Sequence, residues 1–124
     1  MIATMRMCLR VVVMAVTLMA NVEVVQAAGS LAIGTCGAYG YAFDHAQPAT
    51  AHAAAKSKCT GDCKTVEVRK HCAALAVDVQ NACGPFGYAV SKRLGAAQNE
   101  ALSHCYKHGG KDCMIRAWLC DVKG

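Results

Sequence analysis

The chain has 124 residues, 13 Lys and Arg against 8 Asp and Glu, and a formal net charge of +5. This length bounds it to one domain of modest size, and its scattered charges lack the basic stripe with interleaved aromatics that nucleic-acid binding requires. An apolar fraction of 55% with only 6% aromatic residues describes a core of small side chains, so stability must come partly from elsewhere.

Residues 1–27 read as a signal peptide. Arg6 and Arg10 give a basic start, Val11 to Ala20 is an apolar run, and Val25-Gln26-Ala27 presents small residues at a cleavage site after Ala27, with Ala28 as the neighbouring choice. Asn21 and Glu23 stop the apolar run short of the ~18 residues that a membrane span needs, so no span is expected in the mature chain. Cys8 precedes the run and is not placed as a lipid-anchored cysteine. Removing Arg6, Arg10 and Glu23 leaves 11 basic and 7 acidic residues, a mature charge of +4. The expected destination is the periplasm or the exterior.

The remainder, 28–124, reads as a single domain made of a unit used twice, at about 30–72 and 74–120. Cys36 to Cys72 and Cys83 to Cys120 both open with Cys-Gly and continue into aromatic-Gly-Tyr-Ala. Both then cross an Ala-rich stretch to Lys/His-Cys, restart at Asp-Cys and close on a cysteine.

Ser30 to Thr35 and Ala74 to Val79 are apolar stretches before Cys-Gly turns and read as first strands of hairpins. Tyr39 to Phe43 and Phe86 to Val90 are the second arms, with aromatics alternating against Gly40, Ala42, Gly87 and Ala89. Asp44 and Ser91 are expected to cap the helices that follow, with Pro48 in a first turn. One helix face carries Pro48, Ala51, Ala55 and Cys59, the other Leu94, Ala97, Ala101 and Cys105; alanine there lets a helix approach a sheet closely. Lys64 to Lys70 and Met114 to Leu119 close the units as strands, with Ile115, Ala117 and Leu119 alternating against Met114, Arg116 and Trp118. The expected fold is α+β: two ββαβ repeats about a pseudo-twofold, forming an antiparallel-rich sheet with two helices on one face.

Eight cysteines remain after the leader, an even set that reads as a disulfide framework in a short exported chain. Cys59–Cys63 and Cys105–Cys113 each staple a helix end to the next strand, given Cα atoms within about 4.4–6.8 Å. For the other four, a pseudo-twofold favours Cys36–Cys83 and Cys72–Cys120 between the units. The rival pairing, Cys36–Cys72 with Cys83–Cys120, satisfies the same spacing.

Paired aromatic-Gly-Tyr-Ala, an Ala-rich helix ending in Cys, Asp-Cys, and a strand ending in Cys-Ala-Ala-Leu-Ala or Trp-Leu-Cys resemble the DUF4189 family over about Leu31 to Cys120. The resemblance implies a small exported bacterial protein of unassigned function and brings no catalytic residues. Relative to the family's usual set, Cys36 and Cys83 look like additions that arrive as a pair.

Site chemistry is sparse. Cys59-Thr-Gly-Asp-Cys63 has three intervening residues and sits at a helix end, opposite to a redox motif that opens a helix. His104 and His108 at i, i+4, with His71-Cys72, fall short of a zinc site, which needs four converging ligands and free thiolates. Gly-x-Ser-x-Gly and His-Glu-x-x-His are absent. No catalytic residue, metal or cofactor is expected.

The candidate binding surface is the aromatic stripe Tyr39, Tyr41, Phe43, Phe86 and Tyr88, with Trp118. It faces solvent if the helices cover the Gly/Ala face; the same period also allows the aromatics to be the main core. The function expected is a non-enzymatic exported module that binds a protein or envelope component, an inhibitor or immunity-type protein being one version. The alternative is a periplasmic enzyme or metal-binding protein using the His and Cys residues.

Overall fold

A computed structural model describes residues 27–121; the segment read above as a signal peptide lies, but for Ala27, outside them. The first half supplies β1 (Ala28–Ile33), β2 (Tyr39–His45), α1 (Pro48–Ser57) and β3 (Lys64–Val68). The second supplies β4 (His71–Asp78), β5 (Phe86–Ser91), α2 (Leu94–Lys107) and β6 (Cys113–Asp121). The strands form two antiparallel three-stranded sheets of matching order, β2-β1-β3 and β5-β4-β6.

The middle strands explain the layering. Every residue of β1 is buried, and so are the last seven of β4, so both faces of each middle strand are covered. On one face small side chains meet a helix: Ala32 and Ala42 pack with Ala55 of α1, and Ala74, Ala76 and Ala89 pack with Ala97 and Ala101 of α2. On the other face the larger side chains of the two sheets meet each other, with Leu31, Ile33 and Val68 against Leu75, Val77 and Leu119. The order of layers is therefore helix, sheet, sheet, helix. Two sheets, each with its own helix on one face, stand where a single sheet with both helices was expected. The reason is that Ala-to-Ala helix contacts remove little apolar area, and the Leu, Ile and Val faces still need cover.

Helix approach is closest at two glycines. A Cβ on Gly40 would strike the Ala55 carbonyl and lie 3.0 Å from the Cys59 amide; one on Gly87 would lie 2.5 Å from the Cys105 amide. The helix starts differ from expectation. Asp44, at φ 58°, and Ser91, paired with Cys72, both belong to strands, and the caps are Gln47 and Arg93 without side-chain capping bonds. Pro48 sets the start of α1 by holding Gln47 extended.

The division between the halves also falls earlier than the repeat suggests. The chain bends at Arg69 and Lys70, the latter at φ 56°, so His71 and Cys72 open β4 instead of closing the first unit. In β6, Ala117 pairs with Leu75 but Ile115 with Ala76, so Arg116 is an extra residue. Ile115 consequently packs on the α2 side while Ala117 and Leu119 join the core between the sheets.

Four disulfides close the structure: Cys36–Cys83, Cys59–Cys63, Cys72–Cys120 and Cys105–Cys113. Cys59–Cys63 and Cys105–Cys113 join a helix end to the following strand. Cys72 and Cys120 are opposite one another on β4 and β6, so their bond lies within the second sheet and does not join the units. Cys36–Cys83 links the β1–β2 turn to the β4–β5 turn and is the bond of the four that crosses between the sheets.

Candidate functional site

The aromatic side chains follow from strand register. Tyr39 is opposite Ile33 and Tyr41 opposite Leu31; Phe86 is opposite Val77 and Tyr88 opposite Leu75. Opposed residues share a face, so these rings stand on the face that meets the other sheet. Yet β2 and β5 are edge strands, and their rings reach past the overlap of the sheets. Tyr41, Phe43, Phe86, Tyr88 and Trp118 are exposed, Phe43 and Trp118 at 52%.

The rings do not form one stripe. They divide between two grooves on opposite flanks. The first, about 480 Å³, runs between β2 and β6 and holds Tyr39, Tyr41 and Phe43; Trp118 borders it from β6, its side chain, opposite Ala74, on the α2 face. The second, about 440 Å³, runs between β3 and β5 and holds Phe86 and Tyr88.

In the first groove the β2 rings repeat at the two-residue rise of a strand. Tyr39 and Tyr41 centroids are 6.5 Å apart and Tyr41 and Phe43 6.4 Å, with planes within 4° and 14° of parallel. Arg116, placed by the β6 bulge, lies with its guanidinium 5.4 Å from the Tyr39 ring centre, and its Nε donates to the Gly37 carbonyl at 3.3 Å. Lys58, at the end of α1, donates to the Tyr41 carbonyl at 3.2 Å and lies 6.0 Å from the Tyr41 ring centre. Neither cation was singled out from sequence, because the bulge and the reach of Lys58 around β2 leave no local signal.

The second groove has a floor of Ile33, Leu75 and Val77, walls of Val66 and Tyr88, and the Cys36–Cys83 bond at its mouth. Asp62 and Lys64 lie at its rim.

Elsewhere, Ser30 Oγ and His52 Nδ1 are 2.6 Å apart, a hydroxyl–imidazole contact that no sequence motif announces across 22 positions. Ser30 has no exposed surface, so the pair fastens α1 to β1 and is closed to a substrate. Asp78, 5% exposed, accepts the Gln80 amide at 2.9 Å and the Lys111 amide at 3.2 Å. The Gln80 amide first, then that of Lys111, hold its carboxyl below the ordinary range. The histidines weighed for metal are spread out: His71 Nδ1 is 2.6 Å from the Arg69 carbonyl and His108 Nδ1 3.1 Å from that of Phe86, while Cys72 and Cys105 are in disulfides. Among the described residues no three His, Cys, Asp or Glu side chains converge.

A family model described as a domain of unknown function, DUF4189, matches residues 28–120, the span of both sheets and both helices. The chain belongs to the DUF4189 family. Comparison with curated proteins and with solved structures gave no match. In this DUF4189 chain four disulfides point to an oxidising, extracellular-type environment. No helix among the described residues is long and apolar enough to cross a membrane.

Proposed function

We propose that this chain is an exported, non-enzymatic binding module of the cell envelope or extracellular space. The observation that carries the proposal is the placement of large aromatic side chains at the open flanks of the sandwich, outside both helix contacts and outside the core between the sheets. Exposed Tyr, Phe and Trp lining a groove in a rigid frame are what recognition surfaces are made of. The basic, apolar, small-residue order of residues 1–27 supports export. The shared strand order of the halves supports two copies of one unit related by an approximate twofold, each contributing an aromatic edge strand. One version is an inhibitor or immunity-type protein that occupies an envelope enzyme.

Capture from the chain's own cell-envelope extract, using tagged disulfide-intact protein, tests this. Specific retention of an envelope component, lost on Tyr41→Ala or Tyr88→Ala, is the expected result. No specific capture at micromolar protein, or capture indifferent to both substitutions, would overturn it.

A further inference from the structure

We propose that the groove between β2 and β6 binds an acidic polysaccharide, a glycan whose sugar rings carry carboxylates. This rests on the binding-module reading above and names its ligand class.

Tyr39, Tyr41 and Phe43 stand in a row on one face of β2, near-parallel and 6.5 and 6.4 Å apart, with Ala117 and Leu119 lining the groove from β6. A trough of about 480 Å³ open along its length suits a chain of rings better than a compact solute. Each tyrosine offers an apolar ring and a hydroxyl tip. A sugar ring has the complementary make-up, an apolar C–H face with a rim of hydroxyls, so stacking and hydrogen bonding act together.

Arg116 lies over Tyr39 and Lys58 over Tyr41, and among the described residues no carboxylate lines the groove. The Nε bond to the Gly37 carbonyl orients the guanidinium, whose planar fork matches a carboxylate. An anion is favoured there and a cation is not.

The position of Lys58 separates this ligand from other anions. Lys58 leaves α1 on one face of the first sheet and comes over the Tyr41 ring on the other, so it passes around the open edge of β2. An acidic peptide adding as a further strand would have to displace it. Single-stranded nucleic acid would use the same stacking but needs a longer run of cations along its backbone than Arg116 and Lys58 provide.

The test is titration calorimetry of the disulfide-intact protein with four probes: a galacturonate oligosaccharide, an uncharged glucose oligosaccharide of equal length, a poly-glutamate peptide and a single-stranded DNA oligonucleotide. Galacturonate should bind about tenfold or more tightly than the neutral sugar, and Arg116→Gln should weaken it by about tenfold, as loss of a charged hydrogen bond does. Tyr41→Ala should weaken it similarly, and this exposed edge-strand position keeps the test usable if Arg116→Gln disturbs the Gly37 turn. Val79→Ala, exposed and outside both grooves, should leave affinity unchanged. Equal affinity for the neutral sugar, or indifference to both groove-one substitutions, overturns the proposal. Tighter binding of poly-glutamate or DNA overturns it in favour of that class. No binding of any probe also overturns it, while specific capture of another envelope component would leave the binding-module reading standing.

Discussion

Cys36 and Cys83, 47 positions apart, join the β1–β2 turn of the first sheet to the β4–β5 turn of the second. The other covalent route between the sheets is the chain itself at Arg69 and Lys70. With this bond at the mouth of the second groove, the spacing of the sheets there is held by sulfur as well as by packing.

Replacing both Cys36 and Cys83 by Ser should therefore lower stability by up to about 4 kcal/mol on the loop-entropy account, against about 2 kcal/mol for Cys59→Ser with Cys63→Ser. Urea midpoints of the two double variants check the order. A smaller loss for the long loop than for the short one would contradict it.

Two glycine-to-alanine changes should act in opposite directions. Gly87→Ala places a methyl group 2.5 Å from the Cys105 amide, in backbone that cannot step aside, and should cost about 1–3 kcal/mol or more. Gly95 in the first turn of α2 has nothing within 4 Å of the added carbon, so Gly95→Ala should stabilise by roughly 0.4–1 kcal/mol. Thermal unfolding of both variants reads the signs directly.

Asp78 makes stability depend on acid. Its carboxyl is held below the ordinary range by the Gln80 and Lys111 amides, so the folded state binds its proton less readily than the unfolded state. The contribution is fully present above the ordinary carboxylate value of about 3.9 and is lost as pH falls below it, through the depressed folded-state value. Asp78→Asn should lower stability near neutrality and flatten the acid limb of a stability-against-pH curve. An unchanged acid limb would show that Asp78 is not the group responsible.

The Ser30–His52 contact should be asymmetric. Removing His52 leaves a hydroxyl with no exposed surface and without this partner, so His52→Ala should cost about 1–3 kcal/mol. Ser30→Ala should cost less, since half-buried His52 can turn to water and the matching place on β4 is already Ala74. Equal losses in urea unfolding would indicate a packing effect instead of a stranded hydroxyl.

Much of the architecture can be read from local pattern. Gly40, Ala42, Gly87 and Ala89 alternating with large residues mark the strand face that takes a helix, and Ala51, Ala55, Ala97 and Ala101 mark the helix face that fits it. The division into two sheets is not local. Ser30 to Ile33 and Cys72 to Val77 are buried on both faces, so alternation cannot say which side meets a helix and which meets the other sheet. The splitting of the aromatics depends on how far the sheets overlap, a property of the assembled sandwich. Arg116 defeats simple alternation, because one extra residue in β6 sends Ile115 and Ala117 to opposite faces.

The proposed function requires the aromatic flanks to be open to solvent. Trp118 is the chain's single tryptophan, so its fluorescence reports one position without ambiguity. Acrylamide should quench the folded, disulfide-intact protein readily, at a rate between those of a buried and a free indole, with emission red-shifted from that of a buried ring, since Trp118 is 52% exposed beside the first groove. A blue-shifted emission shielded from acrylamide would place this ring in the core and contradict the account.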